Sequence, residues 1–188
     1  SKQKMEDFAD TAVKTYGISK LTAKQTGSNF MAMAAGMGLA NDSASDMAMA
    51  LTGLSADMAS FYNVGQDVAS TALKSIFTGE TETLKQFGIV MTDANLQAYA
   101  LSKGITKSTA DMSQAEKVQL RYNYVMSQTA LAQGDFAKTS DSWANQTRIL
   151  SEQWKEFGAT IGTVLINVLL PAVKAINSLL SQLIALAQ

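Results

Sequence analysis

A chain of 188 residues with no histidine and no cysteine forms no disulfide, no His or Cys zinc site, and no Ser-His-Asp or Cys-His nucleophile pair. One proline in a composition that is 47% apolar favours uninterrupted helices over turn-rich sheet. With a net charge of −1 and arginine confined to Arg121 and Arg148, the chain lacks the clustered basic surface on which phosphate binding rests, so no direct nucleic-acid binding is expected.

Met5, Phe8, Ala9, Ala12, Val13 and Tyr16 recur at steps of three and four and predict an amphipathic first helix ended by Gly17. Ser19 offers an N-cap for a second helix that passes Phe30, Met31 and Ala34 and closes by Gly38. The third begins near Ser43, with Ser43-Ala-Ser-Asp46 as its capping box. These two helices are rich in small residues, which let backbones approach closely. Their methionine pairs, Met31/Met33 and Met47/Met49, read as core gap-fillers, with an adaptable binding surface as the alternative. Met47, Leu51, Leu54, Met58 and Phe61 form one stripe before the turn at Asn63-Val-Gly65. Asp57, beside that stripe, reads as a solvated carboxylate or the partner of a basic residue on a neighbouring helix, more than as a site.

Val68, Ala69, Ala72, Leu73 and Ile76 predict a fourth helix stopped by Gly79, and a short fifth runs from Glu82 to Phe87 before Gly88. Ile89-Val-Met91 is the one candidate for extended structure. Thr92 caps a helix that reaches Lys103 and stops at Gly104. Ser113-Gln-Ala-Glu116 is a capping box for a longer helix carrying Val118, Tyr122, Val125, Met126 and Thr129.

Beyond Gly134 the pattern changes. Trp143, Leu150, Phe157 and Val164 stand seven apart, and Thr147, Trp154, Ile161 and Val168 interleave with them at alternating steps of four and three, the spacing of a coiled-coil seam. The seam loses phase at Pro171, which removes a backbone donor and kinks or breaks the rod, and Leu169, Val173, Ile176, Leu180 and Leu183 form a second stripe. The expected fold class is all-α: a bundle of short amphipathic helices followed by a long, Pro-kinked C-terminal helix. Residues 1–134 are expected to form a compact multi-helix module and 141–188 the long helix, both ends reading as cuts within a longer protein. Two tryptophans and a phenylalanine on one bare stripe would make a large apolar patch. The candidate packing or partner face is therefore Trp143, Leu150, Trp154, Phe157, Ile161, Val164 and Val168, buried against the module or against other copies of the chain.

Other chemistry finds little support. Glu80 and Glu82 follow Gly79, and paired carboxylates hydrolyse glycosides when held roughly 5 to 9 Å apart. Acidic residues in a first helical turn also serve the helix dipole, and no hydrolase-like motif surrounds these two, so no catalysis and no cofactor are expected. Gly134-Asp-Phe-Ala-Lys138 lacks the second glycine and the Ser or Thr of a phosphate loop. From Ile161 to Ala187 the only charge is Lys174. Leu, Ile and Val there offer about −3 to −6 kcal/mol toward insertion, but Lys174 costs about 2.5 to 3.5 kcal/mol near a span's centre, so burial against partner helices is the better use of the face.

Five blocks carry a resemblance that covers most of the chain. They are Leu51-Thr-Gly-Leu-Ser-Ala-Asp-Met-Ala-Ser-Phe-Tyr-Asn63, Gly79-Glu-Thr-Glu-Thr-Leu-Lys-Gln-Phe-Gly88, Asn95-Leu-Gln-Ala-Tyr-Ala-Leu-Ser-Lys-Gly104, Arg121-Tyr-Asn-Tyr-Val-Met126 and Gly134-Asp-Phe-Ala-Lys-Thr-Ser-Asp-Ser-Trp-Ala-Asn-Gln146. In this order they resemble the core module of phage and prophage tape-measure proteins, the phage-related minor tail proteins. The resemblance implies a structural tail component that fills the tail tube, helps set its length and leaves ahead of the DNA. It implies tail-tube and tail-tip proteins and assembly chaperones as partners, and a place in the virion's tail tube after assembly in the host cytoplasm. Self-association through the long helix and contact with the host membrane after ejection complete the expectation. A membrane-active segment aiding DNA passage is the alternative function, and a cell-wall hydrolase a more distant one.

Overall fold

The computed structural model describes residues 2–186 and, within the last helix, the side chains at 144–163, 171, 174 and 175. The described residues are helical, without strands. Three helices form the first layer: α1 (Lys2–Tyr16), α2 (Lys20–Gly36) and α3 (Asn41–Phe61). Four shorter ones follow, α4 (Gln66–Leu73), α5 (Ser75–Thr78), α6 (Glu82–Lys85) and α7 (Asp93–Ser102). A 3-10 turn at Thr109–Asp111 leads to α8 (Gln114–Gln128), α9 (Asp135–Thr139) and the long α10 (Trp143–Leu186).

The helix ends follow local chemistry. Ser19, Thr92 and Ser113 accept from the backbone N–H of Thr22, Asn95 and Glu116, and Glu116 completes a capping box by accepting from Ser113 N–H. Gly17, Gly38, Gly79, Gly88, Gly104 and Gly134 all take positive φ, which an L side chain resists. After α2, Leu39 N–H reaches Ala34 C=O and Gly38 N–H reaches Ala35 C=O, a Schellman closure. The end of α3 closes the same way, with Val64 N–H on Ala59 and Asn63 N–H on Ser60, and Asn63 takes the left-handed position at φ 53° in place of glycine.

Helix α3 is the axis of the module. Met47, Leu51, Leu54 and Met58 are buried on it, and so are Ala44, Ser45, Ala48, Thr52, Ser55, Ala56 and Ala59 around the rest of its circumference. Its small residues admit neighbours closely: a Cβ at Gly53 would meet the Tyr16 ring of α1 at 2.7 Å. Phe30 and Phe77 pack 6.1 Å apart between α2 and α5, and Leu73, Ile76, Leu84, Val118 and Val125 extend the core across α4, α5, α6 and α8. Met47 is buried, and Met31 and Met33 lie half-buried against the same core, filling its irregular edge.

Several expectations are corrected. Ser43 is not a cap: α3 begins at Asn41 behind Ala40, because the Schellman turn delivers the chain in extended conformation three residues earlier. The fourth helix is divided at Lys74 into α4 and α5, and the fifth ends at Lys85, with Gln86–Gly88 as a turn. Phe61 is 45% exposed, at the end of a stripe whose other members are buried. Ile89 to Met91 forms no strand. It is a segment outside any helix with Ile89 and Met91 buried and Val90 outward, and the Val90 carbonyl accepts from Tyr124 Oη at 2.9 Å and Asn95 Nδ2 at 2.8 Å in place of a neighbouring strand. The expected long C-terminal helix is present, with Pro171 inside it.

Candidate functional site

The approach to the long helix is set by a buried acid. Asp57 on α3 is 5% exposed and accepts from Gly134 N–H at 2.8 Å and Phe136 N–H at 3.2 Å. It is neither solvated nor ion-paired, contrary to the sequence reading. It satisfies donors at the start of α9, where an anion is favoured. Burial raises its pKa, partly offset by these two backbone bonds. Phe136 inserts beneath Gly17, where a Cβ would come within 2.2 Å of its ring, so α9 is anchored in the module beyond the Gly134 boundary. Ser60 Oγ donates to Asp135 Oδ2 at 2.6 Å across the same junction.

Helix α10 then presents two opposite faces. Asn145, Arg148, Glu152 and Glu156 follow one another at three and four and face the module. Asn145 Nδ2 donates to Ser60 Oγ at 2.9 Å and to Thr139 O at 3.1 Å. Arg148 Nη2 donates to Asn63 Oδ1 and Val64 O, both at 3.2 Å, and so sits on the turn that links α3 to α4. Glu152 Oε2 accepts from Ser19 N–H at 3.4 Å, from Ser19 Oγ at 3.2 Å and from Thr22 Oγ1, while Glu156 Oε2 accepts from Lys20 N–H at 3.3 Å. Two anions thus meet the N-terminus of α2, the sign that its dipole favours. Burial raises the pKa of the Glu152 carboxyl, but Lys155 at 2.5 Å and the Thr22 hydroxyl outweigh it and the net shift is downward.

At 3.6 residues per turn, the expected partner stripe stands roughly half a turn away from this polar face. The module does not cover it. Leu150 is 55% exposed, Trp154 65%, Phe157 57% and Ile161 43%, and the Trp154 and Phe157 rings meet edge to face at 5.8 Å around a shallow depression that Gln153 completes. The structure therefore brings Leu150, Trp154, Phe157 and Ile161 together on one outward face. The side chains of Trp143, Val164 and Val168 lie outside the described residues, as do those of the whole second stripe, Leu169, Val173, Ile176, Leu180 and Leu183. The polar docking face was missed from sequence. Its signal was the spacing Asn145, Arg148, Glu152, Glu156 opposite the heptad seam, which reads as an ordinary solvated face until the ends of α2 and α3 are in place.

Glu80 and Glu82 serve the short helix they begin. Glu80 accepts from Thr83 Oγ1 at 2.8 Å, from Thr83 N–H and from Glu82 N–H, and these donors, Thr83 Oγ1 foremost, hold its pKa down. Glu82 pairs with Lys85 at 2.6 Å. Among the described residues there is no group of three or more acidic side chains placed to hold a metal ion, and no helix long and apolar enough to cross a membrane. Compared with known proteins, the chain matches no family model, no curated protein and no solved structure.

Proposed function

We propose that this chain is a structural module of a phage or prophage tail, a tape-measure segment that packs in the tail tube, helps set tail length and is released during genome delivery. The observation that carries the reading is the ordered run of five sequence blocks from Leu51 to Gln146. A second feature agrees with it. A compact helical module that feeds a 44-residue helix with a bare heptad stripe suits an assembly component whose long axis packs against other helices. In this reading Leu150, Trp154, Phe157 and Ile161 form the self-association face, Trp143, Val164 and Val168 extend it along the heptad, and tail-tube and tail-tip proteins and assembly chaperones are the remaining partners. The chain acts in the virion's tail tube after assembly in the host cytoplasm, with host-membrane contact confined to the period after ejection.

The test is genetic, in the phage or prophage that encodes the chain. In-frame removal of whole helical turns from the long helix should shorten the tail seen by electron microscopy by about 1.5 Å per residue. Removing residues 1–134 should disturb assembly out of proportion to their number. Infectious tails shortened by the full rod length of about 200 Å would make the module plain ruler. Tails of unchanged length in every deletion would overturn the tape-measure reading.

A further inference from the structure

Among the described side chains of α10, the hydrogen bonds to the module come from its polar face. Asn145, Arg148, Glu152 and Glu156 reach Ser60, Asn63, Val64, Ser19, Lys20 and Thr22 through hydrogen bonds, several of them long, at 3.2 to 3.4 Å. Of the apolar side chains at positions 144–161, only Ile149 is partly covered. Immediately before the joint the anchoring is the opposite. Phe136 is buried beneath Gly17, and Asp57 holds the Gly134 and Phe136 amides from inside the core. Between the anchored α9 and the polar-docked α10 lie three turn residues, 140–142.

We propose that α10 is a strap that unclips from the module as a unit, pivoting at residues 140–142 while the module stays folded. Water replaces the hydrogen bonds of the polar face on both sides of the joint at little net cost, whereas releasing an apolar face would expose core. The joint pairs charges with a helix end, so added salt weakens it. Release frees the whole circumference of α10 for other helices and uncovers the N-terminus of α2. The inference stands on the joint alone and does not depend on the tail reading.

The absence of native cysteine allows clean labelling. Spin labels introduced through Asn29→Cys on α2 and Ala159→Cys on α10, both at exposed positions, are diluted into unlabelled chain so that pulsed electron resonance reads intrachain distances only. Two distance populations are expected, the longer growing with salt. Arg148→Ala with Glu152→Ala should lower the ratio of docked to released chains about tenfold while amide-exchange protection along Leu51 to Met58 is retained. One short-distance population that neither salt nor the double substitution shifts would overturn the proposal. So would loss of α3 protection in step with release. If the double variant fails to fold, the salt titration of the parent chain decides between the same two outcomes.

Discussion

The carboxylate of Asp57 receives the Gly134 N–H at 2.8 Å from a segment 77 residues further along the chain, and with the Phe136 N–H bond beside it this contact ties the central helix to the start of α9. Backbone donors compensate the buried charge only in part, so burial keeps its pKa above the ordinary 3.8. The folded state therefore holds this proton to higher pH than the unfolded chain does. The group's contribution to stability is full below 3.8 and is lost as pH rises through the folded value. Asp57→Asn removes the titration, so urea melts across pH should show the parent losing stability relative to this variant over that window. Parallel curves would contradict it. Asp57→Ala leaves two amides without an acceptor and should cost about 1 to 3 kcal/mol at neutral pH.

Glu116 moves the other way. Lys107 at 2.8 Å, then the Ser113 N–H and hydroxyl, hold its pKa at about 2. Its stabilisation is present above 4.5 and is lost as pH falls through about 2. Lys107→Met should move the midpoint toward 4.5, read from the side-chain carboxyl carbon shift by NMR. A midpoint that stays put would show that the ion pair does not govern this acid.

Gly17 combines a φ of 66° with a Phe136 ring that leaves no room for a Cβ. Gly17→Ala should destabilise the module by about 2 to 4 kcal/mol, from left-handed strain and overpacking together. Phe136→Ala opens the space, so the double variant should be less destabilised than the sum of the two single ones in urea melts. Strict additivity would mean that the ring and the glycine do not meet.

Trp154 lies on the bare stripe. Trp154→Asp should leave the thermal stability of an isolated chain within about 0.5 kcal/mol and abolish self-association measured by light scattering. A parent chain that is monomeric at every concentration removes the self-association face. A large drop in the monomer's stability would show that the stripe packs on the module.

The helix ends and most of the core were legible in the sequence because their causes are local. Ser19, Thr92 and Ser113 cap amides three residues away, and the glycine stops need only their own backbone freedom. A stripe such as Met47, Leu51, Leu54 and Met58 announces its buried side through the helical period alone. The role of Asp57 was not legible, since the amides it holds come from a segment that only folding brings near. Nor was the docking of α10. The heptad from Trp143 to Val168 specifies an apolar side, but periodicity does not say whether one chain covers that side. Tertiary structure decided it by placing the α3–α4 turn where Arg148 reaches it and the N–H end of α2 where Glu152 and Glu156 match it in charge, which turns Leu150, Trp154, Phe157 and Ile161 outward.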